Sequence, residues 1–172
     1  HILFERCAYR LLPQLLGRSR TPVVYGKGYD LGGMYRLNEG LRWQADETML
    51  ALAHCLRQNN QISEAIEQLN QLTTKFPKSE HIAEAYFRLG EYAYATGAYD
   101  QAIAHYRRVS SAHGQSSFAP HAQYGVGWSL FGKSDFAGCI HAMTELVKNY
   151  PQSDVIARGR YVRAMAYHQT GQ

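Results

Sequence analysis

The chain has 172 residues, 45% of them apolar, and a formal net charge of +4 at neutral pH. That is enough apolar material for a sizeable core in one elongated domain, and no stretch approaches the ~18 consecutive apolar residues of a membrane-spanning helix. The excess charge lies in residues 1–45, with seven basic against three acidic side chains, while residues 46–172 carry 11 of each. So balanced a body argues against a nucleic-acid cradle.

In residues 1–45, Leu3, Cys7, Leu11 and Leu15 have helical spacing, and Pro13 is placed to kink or end that helix. Residues 18–40 follow, rich in glycine and poor in periodic apolar residues, and are expected as a long loop. Within them Val23-Val24-Tyr25 reads as a short β-like run before Gly26-Lys27-Gly28-Tyr29-Asp30-Leu31-Gly32-Gly33. That glycine spacing fits neither the dinucleotide nor the Walker pattern, and no βαβ unit surrounds it. It is expected as a flexible or partner-contacting loop.

From residue 46 a period takes hold. Ala53, Gly90, Gly127 and Ala164 stand 37 residues apart. Ala65, Ala102 and Cys139 keep the same step, each followed by isoleucine at Ile66, Ile103 and Ile140. So do Leu69, Tyr106 and Met143, then Leu72, Val109 and Leu146, with turn breakers at Pro77, Gly114 and Pro151. A fixed period of this size marks a repeat solenoid. The units are 46–82, 83–119, 120–156 and a partial 157–172. On the same register Phe4, Cys7 and Leu11 stand where Phe136, Cys139 and Met143 stand, so residues 1–45 are expected to hold part of a preceding unit interrupted by the loop.

Each unit is expected to be a helical hairpin. Tyr86, Leu89, Gly90 and Ala93 step by three and four along a first helix, Thr96-Gly97 breaks it, and Tyr99, Ala102, Ile103, Tyr106 and Val109 step along a second. Gly90 is expected to face Ala102, their lack of bulk letting the backbones approach, with Tyr99 and Tyr106 on either side. Between units, Pro77 and Pro151 stop one helix, and Ser79 or Ser153 is expected to cap the next with Glu80 or Asp154 in its first turn. In the fourth unit Tyr161, Ala164, Tyr167 and Thr170-Gly171 repeat a first helix and its turn. The chain is expected to be a segment of a longer protein.

The pattern resembles the tetratricopeptide repeat, with its Leu-Gly pair, its Ala opening the second helix, an aromatic four residues on and a terminal Pro. Leu89-Gly90, Ala102 and Tyr106 carry the resemblance in the second unit, Val126-Gly127 and Pro151 in the third, and Leu52-Ala53, Ala65 and Pro77 in the first. It covers residues 46–172. The family's unit has 34 residues, and the longer unit with its aromatic-Pro-x-Ser-acid junctions at Phe76–Glu80 and Tyr150–Asp154 resembles a bacterial cell-envelope branch. That branch includes the lipoprotein of the outer-membrane β-barrel assembly machine and the periplasmic Tol-associated coordinator of division. The resemblance implies an all-α solenoid coiled into a right-handed superhelix, and a periplasmic or cell-envelope location, with the cytoplasm left open.

Chemistry of the chain's own is not expected. Cys7, Cys55 and Cys139 lack CxxC spacing and read as buried free thiols, and the eight histidines form no HExxH or Ser/His/Asp grouping. No catalytic residue, cofactor or metal is therefore assigned. In the family the first helices line a concave groove. Carried over by register, its positions here are Leu50, His54 and Arg57, then Phe87, Glu91 and Tyr94, then Tyr124, Trp128 and Phe131, then Tyr161, Met165 and His168. This aromatic ladder implies a non-enzymatic scaffold or adaptor that holds a peptide or protein. The Lys and Asn of the carboxylate-clamping members of the family are missing. Two other readings stand beside it: a regulatory or substrate-docking segment of a larger enzyme, and a module that stacks glycan or peptidoglycan on the rings.

Overall fold

A computed structural model describes the backbone of residues 31–171 and the side chains of residues 45–171. The expected helix over residues 2–16, the β-like run and Cys7 lie outside the described residues. Seven helices fill the rest: α1 (Leu31–Gln58), α2 (Ile62–Lys75), α3 (Ile82–Ala95), α4 (Tyr99–Ala112), α5 (Ala119–Gly132), α6 (Phe136–Asn149) and α7 (Ile156–Gln169). No strand occurs among the described residues. Helices α2, α4 and α6 begin 37 residues apart, as do α3, α5 and α7, and all six have 14 residues. The period read from the sequence is the period of the fold.

Contacts divide the chain into two units, residues 1–65 and 66–172. In the first, α1 overturns part of the expected loop, because residues 31–40 are helical. Met34, Leu37, Leu41, Ala45 and Met49 step by three or four in the sequence, a helical pattern that prevails over ~1 kcal/mol of propensity lost at each glycine. Leu50, Ala53 and Ala65 are buried.

In the second unit consecutive helices from α3 to α7 lie side by side, and the first helices also touch, α3 with α5 and α5 with α7. The repeated columns form its core. Ala102 and Cys139, Val109 and Leu146, and Met143 are fully buried, and Tyr106 is only 5% exposed.

The close helix approach is made differently from the expected Gly90–Ala102 pairing. A Cβ at Gly90 would stand 2.5 Å from Cε1 of Tyr106, and one at Gly125 would stand 2.6 Å from Cε2 of the same ring. The Tyr106 ring is thus a wedge between α3 and α5, and both helices need glycine where it enters. Met143 repeats the device at Gly127, where an added Cβ would meet its methyl at 2.2 Å. Ala164 continues that column on α7 but is exposed.

Turns repeat in the same register. Asn60, Gly97, Ser134 and Gly171 all have φ between 61° and 75°, the left-handed region. Behind three of them runs the six-residue bond of a Schellman motif, from Gln61 N–H to Leu56 C=O, Ala98 to Ala93 and Asp135 to Leu130. The junction serines form a column of three. Ser79, Ser116 and Ser153 each accept, through Oγ, from the N–H two residues on, and through C=O from the N–H three residues on. They open a turn ahead of α3, α5 and α7. Glu80 and Asp154 therefore precede the helix, and Glu84 is the acid in the first turn of α3.

Candidate functional site

The row of first helices in the second unit opens into a cleft of about 430 Å³. Phe87, Glu91 and Tyr94 line it from α3, one per helical turn on a single face. His121, Tyr124, Gly125 and Trp128 line it from α5, Val155 and Arg158 from the start of α7, and Tyr106 reaches up from α4 as its floor. Gly125 serves twice: it admits the Tyr106 ring and leaves that ring open to the cleft.

The aromatic side chains are coupled in tilted and edge-to-face pairs. Phe87 packs on Tyr106 at 5.8 Å between centroids, on Phe118 at 5.4 Å and edge-on to His121 at 6.3 Å. Trp128 meets Tyr124 at 6.3 Å and Phe131 at 5.6 Å, both edge-on. Such pairs fix ring orientation beyond simple burial. The cleft is therefore largely pre-shaped, with Phe87, Tyr124 and Trp128 half-buried, Tyr94 exposed and Tyr106 buried beneath them.

Charge sits at its rims. Arg88 lies over the Phe87 ring at 5.6 Å and donates to Glu91 at 2.9 Å and to Glu84 at 3.1 Å. Burial alone would lower its pKa, and hydrogen bonds and charge from Glu91 and Glu84 more than reverse that, so the net shift is upward. Arg158 lies over the Tyr124 ring at 5.5 Å and pairs with Asp154 at 3.6 Å, which also stands 3.5 Å from His121. Burial holds the Tyr94 and Tyr106 phenols above their ordinary range, Tyr99 and Tyr124 adding at the first and Glu91 and Tyr94 at the second. Both phenols stay neutral at physiological pH and can donate hydrogen bonds.

The structure brings together five of the residues placed by register: Phe87, Glu91, Tyr94, Tyr124 and Trp128. Phe131 packs on Phe136 at 5.3 Å and on Trp128, behind the cleft wall. Tyr161 is 66% exposed, Met165 half-buried and His168 exposed, all outside the cleft lining. In the first unit Leu50 is buried, His54 half-buried and Arg57 exposed. The register missed Tyr106, His121, Gly125, Val155 and Arg158. His121 and Arg158 share a 37-residue column with Glu84, one turn before the Phe87–Tyr124 column, and that offset in the sequence would have found them.

No group of three or more metal-ligating side chains occurs among the described residues. Cys55 is half-buried rather than buried, and at Cys139 burial, with Asp135 adding, pushes the thiol up to about 11, far from a reactive thiolate. His105 keeps Nδ1 buried without a partner while stacking on Tyr86 at 6.3 Å; burial, then Arg108, holds its pKa down. No described helix is long and apolar enough to cross a membrane.

Two family models, both described as tetratricopeptide repeat, match residues 50–120 and 121–153, together more than half of the chain. The chain belongs to the tetratricopeptide-repeat family. Tetratricopeptide repeats generally mediate protein–protein contacts and are generally non-catalytic scaffolds. A solved structure of MamA AMB-1 is similar in fold, with a TM-score of 0.60 at 17% identity over 73% of this chain. The match takes in 64% of that MamA chain, so this tetratricopeptide chain spans less than two thirds of its length. No curated protein matches the sequence significantly.

Proposed function

We propose that the chain is a non-catalytic adaptor that holds an extended segment of a partner protein in the cleft between α3, α5 and α7. The observation that carries this is the cleft itself, where Phe87, Tyr94, Tyr106, Tyr124 and Trp128 converge from three helices on one concavity of about 430 Å³. Rigid aromatic anchors in a preformed concavity are what interface centres are made of. The 37-residue unit and its aromatic-Pro-x-Ser-acid junctions support assigning the chain to the cell-envelope branch of the family, with a partner in the same compartment.

The test is a peptide selected from a random library on the 172-residue chain. Trp128→Ala and Tyr124→Ala should weaken its binding about thirtyfold, the effect of losing an anchor. Because Trp128 is half-buried, its removal should cost stability well below the ~3–5 kcal/mol of a fully buried large aromatic. Full affinity in both variants, with a large fall in melting temperature, would make these rings packing between repeats and nothing more.

A further inference from the structure

The cleft's charge and ring arrangement identify a chemistry for its occupant. Resting on the function proposed above, we infer that the partner segment enters the cleft with a basic side chain, arginine or lysine, set against Glu91 and the rings of Tyr94 and Trp128, over the Tyr106 floor. Three features favour a cation.

First, the cleft rim already holds two intramolecular versions of the contact. Arg88 covers Phe87 and binds Glu91 and Glu84; Arg158 covers Tyr124 and pairs with Asp154. In each, a guanidinium lies on an aromatic face while a carboxylate neutralises it, the arrangement that favours cations at half-desolvated sites. Second, Tyr94, Tyr106 and Trp128 lie between these rims and line the cleft, and no cation of the described residues lies over them. Third, the two full charges that line the cleft are unequally engaged: Arg158 is paired with Asp154 and lies over Tyr124, whereas Glu91, its side chain 43% exposed, uses Oε2 for Arg88 while facing the cleft.

The other chemistries fit less well. An acidic side chain would meet Glu91, and would have to draw Arg158 away from Asp154. An aliphatic one would fill the space and take water from the cleft side of the Glu91 carboxylate, with the Arg88 pairing at Oε2 to offset the loss, which is unfavourable next to gaining a new cation. A basic one meets Glu91 electrostatically and the rings of Tyr94 and Trp128 above the Tyr106 floor, and its aliphatic stem can lie along Phe87.

The experiment titrates four capped tripeptides, Gly-X-Gly with X arginine, norleucine, phenylalanine or glutamate, into the full chain. The readout is the indole N–H resonance of Trp128, told apart from that of Trp43 by a Trp128→Phe control. The arginine peptide should bind about tenfold more tightly than norleucine. Glu91→Gln should remove most of that preference and leave the phenylalanine peptide unchanged. In the wild type, raising the salt should reduce the arginine preference, a measurement that needs no variant. Norleucine or phenylalanine binding as well as arginine overturns the inference and leaves an apolar binding cleft standing. Tightest binding by glutamate also overturns it, in favour of recognition by Arg158. If no peptide moves the Trp128 resonance, the inference fails together with the cleft as the binding face.

Discussion

Gly90→Ala isolates the wedge that holds the second unit together. In an ordinary helix this change gains ~1 kcal/mol of propensity. Here the new methyl would stand 2.5 Å from Cε1, 2.6 Å from Cδ1 and 2.9 Å from Cζ of Tyr106. Carbon contacts settle at ~3.5–4 Å, so the ring would have to retreat about 1 Å. It cannot do so freely, because Gly125 already lies against its other edge, where a Cβ would be 2.6 Å from Cε2. Overpacking a closed site costs ~1–3 kcal/mol, and with no route of escape the upper half applies. Net of propensity, the variant should lose ~1–2 kcal/mol, or roughly 2–8 °C in melting temperature for a chain of this size. Urea unfolding followed by circular dichroism measures it. The decisive comparison repeats the substitution in a Tyr106→Leu background, leucine being the residue at the same repeat position in Leu69. With the ring gone, Gly90→Ala should become neutral or stabilising, giving a coupling energy of about 2 kcal/mol. The same loss in both backgrounds, or a gain in the wild type, would refute the wedge.

The left-handed turn column gives a matched pair: Ser134→Gly should stabilise by ~1 kcal/mol by relieving φ 62°, and Gly97→Ala should destabilise by about as much with no contact within 4 Å to blame, both read by thermal melts. Cys139 gives a pH dependence: its thiol is raised from 9 to about 11, so its contribution is full below pH 9 and is lost as pH rises through 11, ~1.4 kcal/mol per unit. Cys139→Ala, alanine being the residue of that column at Ala65 and Ala102, should flatten the loss in urea titrations at pH 8 to 11. At the cleft, Trp128→Ala should weaken a selected peptide far more than Phe131→Ala, because only the first ring lines the concavity.

Much of this was written in the sequence, and the exceptions share a cause. The helix register was legible because the buried columns are filled by one class of residue in each unit: Ala65, Ala102 and Cys139 are all small, and Leu72, Val109 and Leu146 are all branched. The turn column was half legible. Gly97 and Gly171 declare a left-handed turn, whereas Asn60 and Ser134 adopt one because the surrounding Schellman bonds hold them there. The glycines of α1 misled because their number drew attention from the apolar spacing around them. Gly90 was recognised as a close approach, but its partner was misplaced, since a tyrosine can fill the gap as well as a second small residue can permit it. Gly125 was invisible because its 37-residue counterparts are Arg88 and Val162, so only the three-dimensional path of the Tyr106 ring gives it a reason. The cleft was legible where it follows the stripe from Phe87 to Trp128. It was not where α4 and the start of α7 contribute, because periodicity names the face of a helix and not what approaches it.

The central claim is that the aromatic cleft of the second unit is the face that holds a partner. The most direct measurement maps a library-selected peptide onto the full chain by amide and indole chemical shifts. The account predicts that the changes centre on Phe87, Glu91, Tyr94, Tyr124 and Trp128, with the Trp128 indole among the largest. Changes confined to exposed positions of α4 and α6, such as Arg107, Ser111, Thr144 and Lys148, with the Trp128 indole unmoved, would contradict it.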